Sequence, residues 1–261
     1  MNVLLELENF FNSYKGKKQI IGRSERGKPL YCFDVKKSER PVVIAQYAIH
    51  AREYITTYLA IEQIRYFNRY GRRGRVLFIP ALNPDGIEIC REKPLYKANV
   101  NGVDLNVNFD ARWGTGAKNV TEKGDENFIG VEPFSEAETR AIRDFTLKIM
   151  PDATISYHSK GEEIYWRFFQ EGDREKRDFS IAKALAKTTG YTIKDTPDSA
   201  GGYKDWCVQR LNIPAFTIEV GSDNLSHPIE KNQLEEIFQR CKGITTTLIC
   251  ALERLCKKNL C

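Results

Sequence analysis

The sequence predicts an α/β fold: one α/β/α sandwich around a central twisted mixed sheet, with residues 1–261 forming a single domain. Three observations predict it. Residues 41–49 and 76–82 are near-continuous apolar runs, the pattern of strands buried on both faces of a sheet. Between them, residues 56–70 place Leu59, Ile61, Ile64 and Phe67 at helical spacing. The alternation then recurs, with apolar runs at 153–157 and 215–220 on either side of a helical stretch at 179–189. A chain of 261 residues suits one large domain and can bury a sizeable core.

Taken in order, residues 3–14 read as an amphipathic helix. Residues 19–24 and 30–35 read as two strands joined by a turn at Gly27-Lys28-Pro29, together a hairpin. The strand at 76–82 runs into Asn83-Pro84-Asp85-Gly86, a strong turn signal. Ser135-Glu136-Ala137-Glu138 has the spacing of a capping box, serine at the cap and glutamate three residues on, which opens a helix to about residue 149. The helix at 179–189 stops at Gly190, and the strand at 215–220 stops at Gly221. Residues 229 to about 257 read as one long amphipathic helix. His50, His158 and Glu219 all fall at strand ends. This places them along one edge of the sheet, where open α/β sheets bind their ligands.

Composition excludes several classes. Hydrophobic content of 41% and charged content of 29% are ordinary for a soluble globular domain. The net charge of +5 is scattered, and the densest basic cluster, four arginines between positions 69 and 75, reads as a solvated helix end rather than a nucleic-acid patch. No run is long and apolar enough to span a membrane, and the amino-terminal stretch lacks the features of a signal peptide. Seven cysteines without a framework spacing lead us to expect reduced thiols and a cytoplasmic setting. A monomer is expected.

The chemistry begins at His50-Ala51-Arg52-Glu53. A single His-x-x-Glu is common, but the chain has only three histidines, and His158 also follows an apolar run. Two imidazoles and one carboxylate at strand ends make up the ligand set of an open catalytic zinc site, Zn2+ being bound by His50, Glu53 and His158. Such a site lowers the pKa of bound water to about 7 and so provides a nucleophile at neutral pH. Phe216-Thr217-Ile218-Glu219-Val220 sets a carboxylate inside an apolar strand, which is costly unless the group is paired or faces a cleft. Beside a zinc site, Glu219 reads as a general base.

These residues carry a resemblance. The chain is similar to the zinc metallocarboxypeptidases from about Ile21 to Glu219 and beyond. Its marks are Ile49-His50-Ala51-Arg52-Glu53, Asn83-Pro84-Asp85-Gly86, Gly102-Val103-Asp104-Leu105-Asn106, His158, Ala200-Gly201-Gly202 with Asp205-Trp206, and Ile218-Glu219. The resemblance implies zinc on His50, Glu53 and His158, and Glu219 as general base and acid. It implies that Lys97 polarises the scissile carbonyl, where a cation would stabilise the developing oxyanion. It implies that Asn106 binds a substrate carboxylate.

The chain also departs from the family pattern. Asn106-Val107-Asn108-Phe109 carries Val107 where the family has an arginine that clamps the substrate's terminal carboxylate, and an apolar side chain cannot form a bidentate ion pair. The family's mobile tyrosine would align near Pro197 or Asp198, which makes Tyr203 the nearby candidate to replace it. Lys204 falls at the family's side-chain specificity position, where a lysine favours a substrate carboxylate. The stretch from Tyr157 to Trp166, with Gly202-Tyr203-Lys204-Asp205-Trp206, resembles bacterial γ-D-glutamyl-diaminopimelate peptidases. That implies a murein peptide as substrate, cut between D-glutamate and meso-diaminopimelate. A carboxypeptidase removing acidic residues and a non-catalytic peptide-binding relative are the competing readings.

Overall fold

The computed structural model describes residues 2–256. Eight strands among them form one sheet: β1 (Lys17–Arg23), β2 (Pro29–Lys36), β3 (Val42–Tyr47), β4 (Arg75–Ile79), β5 (Ala153–His158), β6 (Glu163–Tyr165), β7 (Thr192–Lys194) and β8 (Ala215–Glu219). Their order across the sheet is β1-β2-β4-β3-β5-β8-β6-β7. The middle, β4-β3-β5-β8, is parallel. β1 and β2 pair antiparallel on one flank, the expected hairpin, and β6 joins β8 antiparallel on the other.

Helices cover both faces, as the apolar central strands require. On one face, α1 (Val3–Ser13), α2 (Ile55–Tyr70), α5 (Gly172–Thr189), α7 (Leu234–Cys241) and α8 (Ile244–Cys256) contribute Leu7, Ile64, Ile181, Ile237 and Leu248 to a core that also holds Val43, Ala45 and Ile155. On the other, α4 (Ala137–Ile149) and α6 (Tyr203–Arg210) contribute Ile142, Tyr203 and Trp206, packed with Ile44, Leu77 and Phe109. A short helix, α3 (Pro84–Ile89), follows β4.

One pair in the first core fixes the register next to the site. Tyr47 and Tyr157 are partners across β3 and β5, stacked with centroids 4.4 Å apart and both fully buried. Burying each ring stabilises by roughly 1.5–3 kcal/mol, provided the hydroxyl keeps a partner. Gln63 meets that condition for both: its Oε1 accepts from Tyr47 Oη at 2.5 Å and its Nε2 donates to Tyr157 Oη at 3.2 Å. His158 is the next residue along β5 and therefore emerges on the opposite face.

Several expectations need correction. The predicted long helix from 229 is two helices, broken at Lys242–Gly243 after a 3₁₀ turn at Lys231–Gln233. A side chain at Gly243 would lie 2.9 Å from the Thr188 methyl group of α5, so the break lets the two helices close on α5. The end of that prediction, Lys257, lies outside the described residues. The capping box does not form. Helix α4 begins at Ala137 with Glu136 at the cap, and the Ser135 hydroxyl donates to the Glu136 carboxylate at 2.6 Å. The Ala137 amide is satisfied instead by the distant Glu25 carboxylate at 2.6 Å, a tertiary partner no local pattern announces. Asn83-Pro84-Asp85-Gly86 opens α3 rather than a simple turn: the Asn83 side chain accepts from the Gly86 amide, and proline suits the first helical position. Five cysteines (Cys32, Cys90, Cys207, Cys241 and Cys250) are free, whereas Cys256 is disulfide-bonded, against the expectation of reduced thiols throughout. No helix among the described residues is long and apolar enough to cross a membrane.

Candidate active site

Strand alternation delivers the site. Along β5, Ile155 and Tyr157 face the first core, so Ser156 and His158 face the second. Along β8, Phe216 and Ile218 face the first core, so Thr217 and Glu219 face the second. His158 and Glu219 are register partners at the carboxyl ends of neighbouring parallel strands. His50 and Glu53 arrive from the loop after β3, where His50 leads into a 3₁₀ turn, Ala51–Glu53, whose tightness brings the two side chains together. That turn is tied down by the Ala51 amide, which donates to the Lys97 carbonyl at 3.0 Å.

The three sequence-predicted ligands converge. His50 Nδ1 lies 2.8 Å from Glu53 Oε1 and 3.1 Å from His158 Nδ1, and His158 Nδ1 lies 3.1 Å from Glu53 Oε2. All three residues are buried, and one donor atom from each falls within 4.8 Å of the others. The donor set fits a metal ion. His50 Nε2 faces the Asp104 carboxylate at 3.1 Å, so that nitrogen carries the hydrogen and the Nδ1 lone pair points at Glu53 and His158. Glu53 Oε2 is buried and makes no aligned hydrogen bond despite its short contact with His158. Donor atoms converging on one buried spot favour a cation between them, and a metal ion there would take the place of the proton that otherwise bridges His50 and Glu53.

The electrostatics agree. Burial alone would raise the Glu53 pKa, but His50 and His158 outweigh it and hold the carboxylate ionised. Burial would lower the His50 pKa, but Glu53 and Asp104 turn the shift upward. Glu219 goes the other way. Burial raises its pKa, and the Glu53 charge adds to that, against the attraction of His158. A carboxyl group pushed toward neutral pH beside a metal-ligand cluster is suited to taking up and releasing a proton.

Lys97 lines a cavity with His50 and Glu219. Its Nζ is 2.7 Å from Asp104 Oδ2 and donates to Asn127 Oδ1 at 3.1 Å. Burial would lower its pKa, but Asp104 outweighs it, so the lysine stays cationic. Asn106 accepts from the Tyr203 amide at 3.3 Å through Oδ1. His50, Lys97, Asn106, Val107 and Glu219 all line a single cavity of about 560 Å³.

Two predicted substrate residues are not brought to this cavity. Tyr203 is fully buried in the second core against Phe109 and Trp206, and its hydroxyl pairs with Thr146 Oγ1 at 2.8 Å. It cannot replace a mobile tyrosine. Lys204 is buried as well. Its Nζ donates to Asp205 Oδ1 at 2.5 Å and to the Arg167 carbonyl at 2.9 Å, and it sits 5.4 Å from the Phe168 ring centroid. Its charge is satisfied inside the protein, so it does not report substrate specificity.

Sequence reasoning missed Asp104, which organises the site. Fully buried, it accepts from His50, pairs with Lys97 and caps the 3₁₀ turn Leu105–Val107 by accepting from the Asn106 amide at 3.0 Å. One carboxylate thus orients a metal-ligand candidate, a cation and the segment carrying Asn106 and Val107. The signal was present, an acid flanked by Val103 and Leu105, but it carried no role until the fold brought His50 to it.

The comparisons agree with this geometry. The zinc carboxypeptidase family model matches residues 7–240. The chain is 27% identical over 234 residues to γ-D-glutamyl-L-diamino acid endopeptidase 1 of Lysinibacillus sphaericus, covering 76% of this chain and 58% of that protein. It is 29% identical over 219 residues to murein peptide amidase A of Escherichia coli K12, covering 78% of this chain and 83% of that protein. Among solved structures, bovine thrombin-activatable fibrinolysis inhibitor in complex with tick carboxypeptidase inhibitor superposes with a TM-score of 0.81 at 20% identity, covering 97% and 94% of the two chains. Murein-tripeptide amidase from E. coli O157 superposes with a TM-score of 0.63 at 23% identity, covering 92% of each. With the family model spanning most of its length, the chain belongs to the zinc carboxypeptidase family of metallopeptidases.

Proposed function

We propose that this metallopeptidase hydrolyses peptidoglycan-derived peptides at the bond between D-glutamate, linked through its γ-carboxyl group, and meso-diaminopimelate. The observation that carries the reading is a contrast within one cavity. His50 of the His50-Glu53-His158 cluster lines it together with Glu219, and so does Val107, at the sequence position where the family has its carboxylate-clamping arginine. A substrate whose residue after the cut bond lacks a free terminal carboxylate does not need that clamp. Two of the relatives bear names that speak of γ-D-glutamyl-diamino acid and murein peptide substrates.

In this reading His50, Glu53 and His158 hold zinc, which supplies Lewis acidity and activates water at neutral pH. Glu219 accepts the proton of the attacking water and passes it to the leaving amine, a task its raised pKa favours. Lys97, kept cationic by Asp104, stands ready to stabilise the oxyanion as the carbonyl carbon becomes tetrahedral. Asn106 has its oxygen occupied by the Tyr203 amide, which leaves its NH2 group to bind substrate. We place the reaction in the cytoplasm, acting on recycled wall fragments, with the protein working as a monomer.

The competing reading, removal of acidic carboxyl-terminal residues, rested on Lys204. With Lys204 paired to Asp205, no observation favours it. Assaying the tetrapeptide L-Ala-γ-D-Glu-meso-diaminopimelyl-D-Ala, in which the residue after the cut bond has no free α-carboxylate, beside a peptide ending in glutamate separates the two. Cleavage of the tetrapeptide between D-glutamate and diaminopimelate is expected, and cleavage of only the second peptide would overturn the proposal.

A further inference from the structure

The cavity holds charge that the catalytic machinery does not use. Of the lysines lining it, Lys97 is neutralised by Asp104, but Lys118 has no carboxylate partner among the described residues. On the facing loop, Asp198 also lines the cavity and likewise has no cationic partner there, whereas its neighbour Asp195 is paired with Arg167 at 3.3 Å. The two loops are joined directly: the Ala117 amide donates to the Asp198 carbonyl at 2.9 Å. Lys118 is thus one residue from a backbone bond to the residue bearing the free acid, yet the two side chains do not pair with each other. Beside them, Asn119 Nδ2 is buried without an acceptor. Its side-chain oxygen lies only 1.9 Å from where a Cβ on Gly116 would sit, so glycine at 116 is what admits the amide to the cavity wall.

An unpaired cation and an unpaired anion lining one cavity from two loops bonded to each other, with a spare amide donor, match a ligand group that carries both charges. We propose that Lys118, Asn119 and Asp198 form a subsite for a zwitterionic aminocarboxylate, Lys118 and Asn119 binding its carboxylate and Asp198 its ammonium. Resting on the function proposed above, this assigns recognition of diaminopimelate to its side-chain terminus, where one carbon bears both groups. A lysine side chain presents only the ammonium and a 2-aminopimelate side chain only the carboxylate, so each can satisfy half of the subsite. The specificity lost at Val107 is thereby regained elsewhere in the cavity lining, by residues of different chemistry.

The test uses three tetrapeptides, L-Ala-γ-D-Glu followed by meso-diaminopimelate, L-lysine or L-2-aminopimelate and closed by D-alanine. Turnover is measured on the zinc-loaded enzyme. Binding is measured by calorimetry on Glu219→Gln protein, where recognition is read without turnover. Lys118→Met is expected to weaken the diaminopimelate and aminopimelate peptides about five- to tenfold, through KM or Kd rather than kcat, and to leave the lysine peptide within about twofold. Asp198→Asn is expected to weaken the diaminopimelate and lysine peptides by a similar factor and spare the aminopimelate peptide. Unchanged melting temperatures separate these effects from misfolding, since both side chains are exposed. Preferential binding of the diaminopimelate peptide that both variants abolish, without cleavage by the parent enzyme, would overturn the proposed bond but support the subsite. No preference for that peptide, or a preference that survives in both variants, would overturn the subsite.

Discussion

His158 and Glu219 stand side by side as register partners at the carboxyl ends of β5 and β8, with both side chains on the face that holds the cavity. The pairing places a metal-ligand candidate next to a carboxyl group that does not join the ligand cluster. Their roles should therefore separate on mutation. We expect Glu219→Gln to keep zinc at parent stoichiometry while losing about 10²- to 10⁴-fold in kcat, the usual span for a lost general base. His158→Ala should lose the metal itself. Metal analysis alongside kinetics checks both, and full turnover in Glu219→Gln would remove it from the reaction.

Asp104 makes a different prediction because three partners depend on it. Asparagine at position 104 would keep an acceptor for His50 but lose the charge that neutralises Lys97. Partners that orient ligating histidines typically change metal affinity about 10- to 100-fold when altered. We expect Asp104→Asn to release zinc to a chelator at correspondingly lower chelator concentration. A companion Lys97→Met change, which leaves His50 oriented, should cut kcat without that release. Equal metal retention in both would show that the charge of Asp104 does not set the metal affinity of His50.

The parts of this architecture legible in the sequence are those governed by local periodicity. The parallel centre was visible because its strands are buried on both faces and read as apolar runs, and His50 and His158 stood out because each closes one of those runs. What was not legible depends on partners distant in sequence. Lys204 looks the same in the sequence whether it faces a substrate or Asp205, and only the packing of α6 against the second core decides between them. Tyr203 is an aromatic beside two glycines, a pattern equally suited to a mobile lid and to a core anchor. The α7–α8 break was hidden because the apolar pattern continues through Gly243, whose importance lies in the closeness of Thr188. Strands β6 and β7 are three residues each, too short for alternation to register.

Lys204 should behave as a structural residue. With side-chain exposures of 8% and 2%, Lys204 and Asp205 form a buried pair, and removing one partner strands the other's charge. We expect Lys204→Met to destabilise the fold by about 3 kcal/mol while leaving relative activity toward different peptides unchanged. The double variant Lys204→Met, Asp205→Asn should recover much of that loss, because an asparagine at position 205 could still accept from the Gly202 amide as Asp205 does at 3.1 Å. A change in substrate preference at parent stability would return Lys204 to the specificity residues.

Glu138 supplies a pH prediction away from the metal. It is fully buried at the start of α4, where burial is the main cause that raises its pKa to about 7 from an ordinary value of 4.5. The Glu25 amide donates to its Oε1 at 3.2 Å and offsets only part of that shift. Between these two values the folded state binds more protons than the unfolded state. Stability is therefore fully present below about pH 4.5 and is lost as pH rises through 7. Ionising the buried carboxyl costs on the order of 3 kcal/mol once the shift is complete. Glu138→Gln keeps the acceptor for Glu25 but gives up the weak 3.4 Å bond from Asn99, a small loss at every pH. We expect the variant to melt slightly below the parent at about pH 5 and several degrees above it at about pH 8.5. A melting difference that stays constant between these two pH values would show that Glu138 is already ionised in the native protein at the lower one.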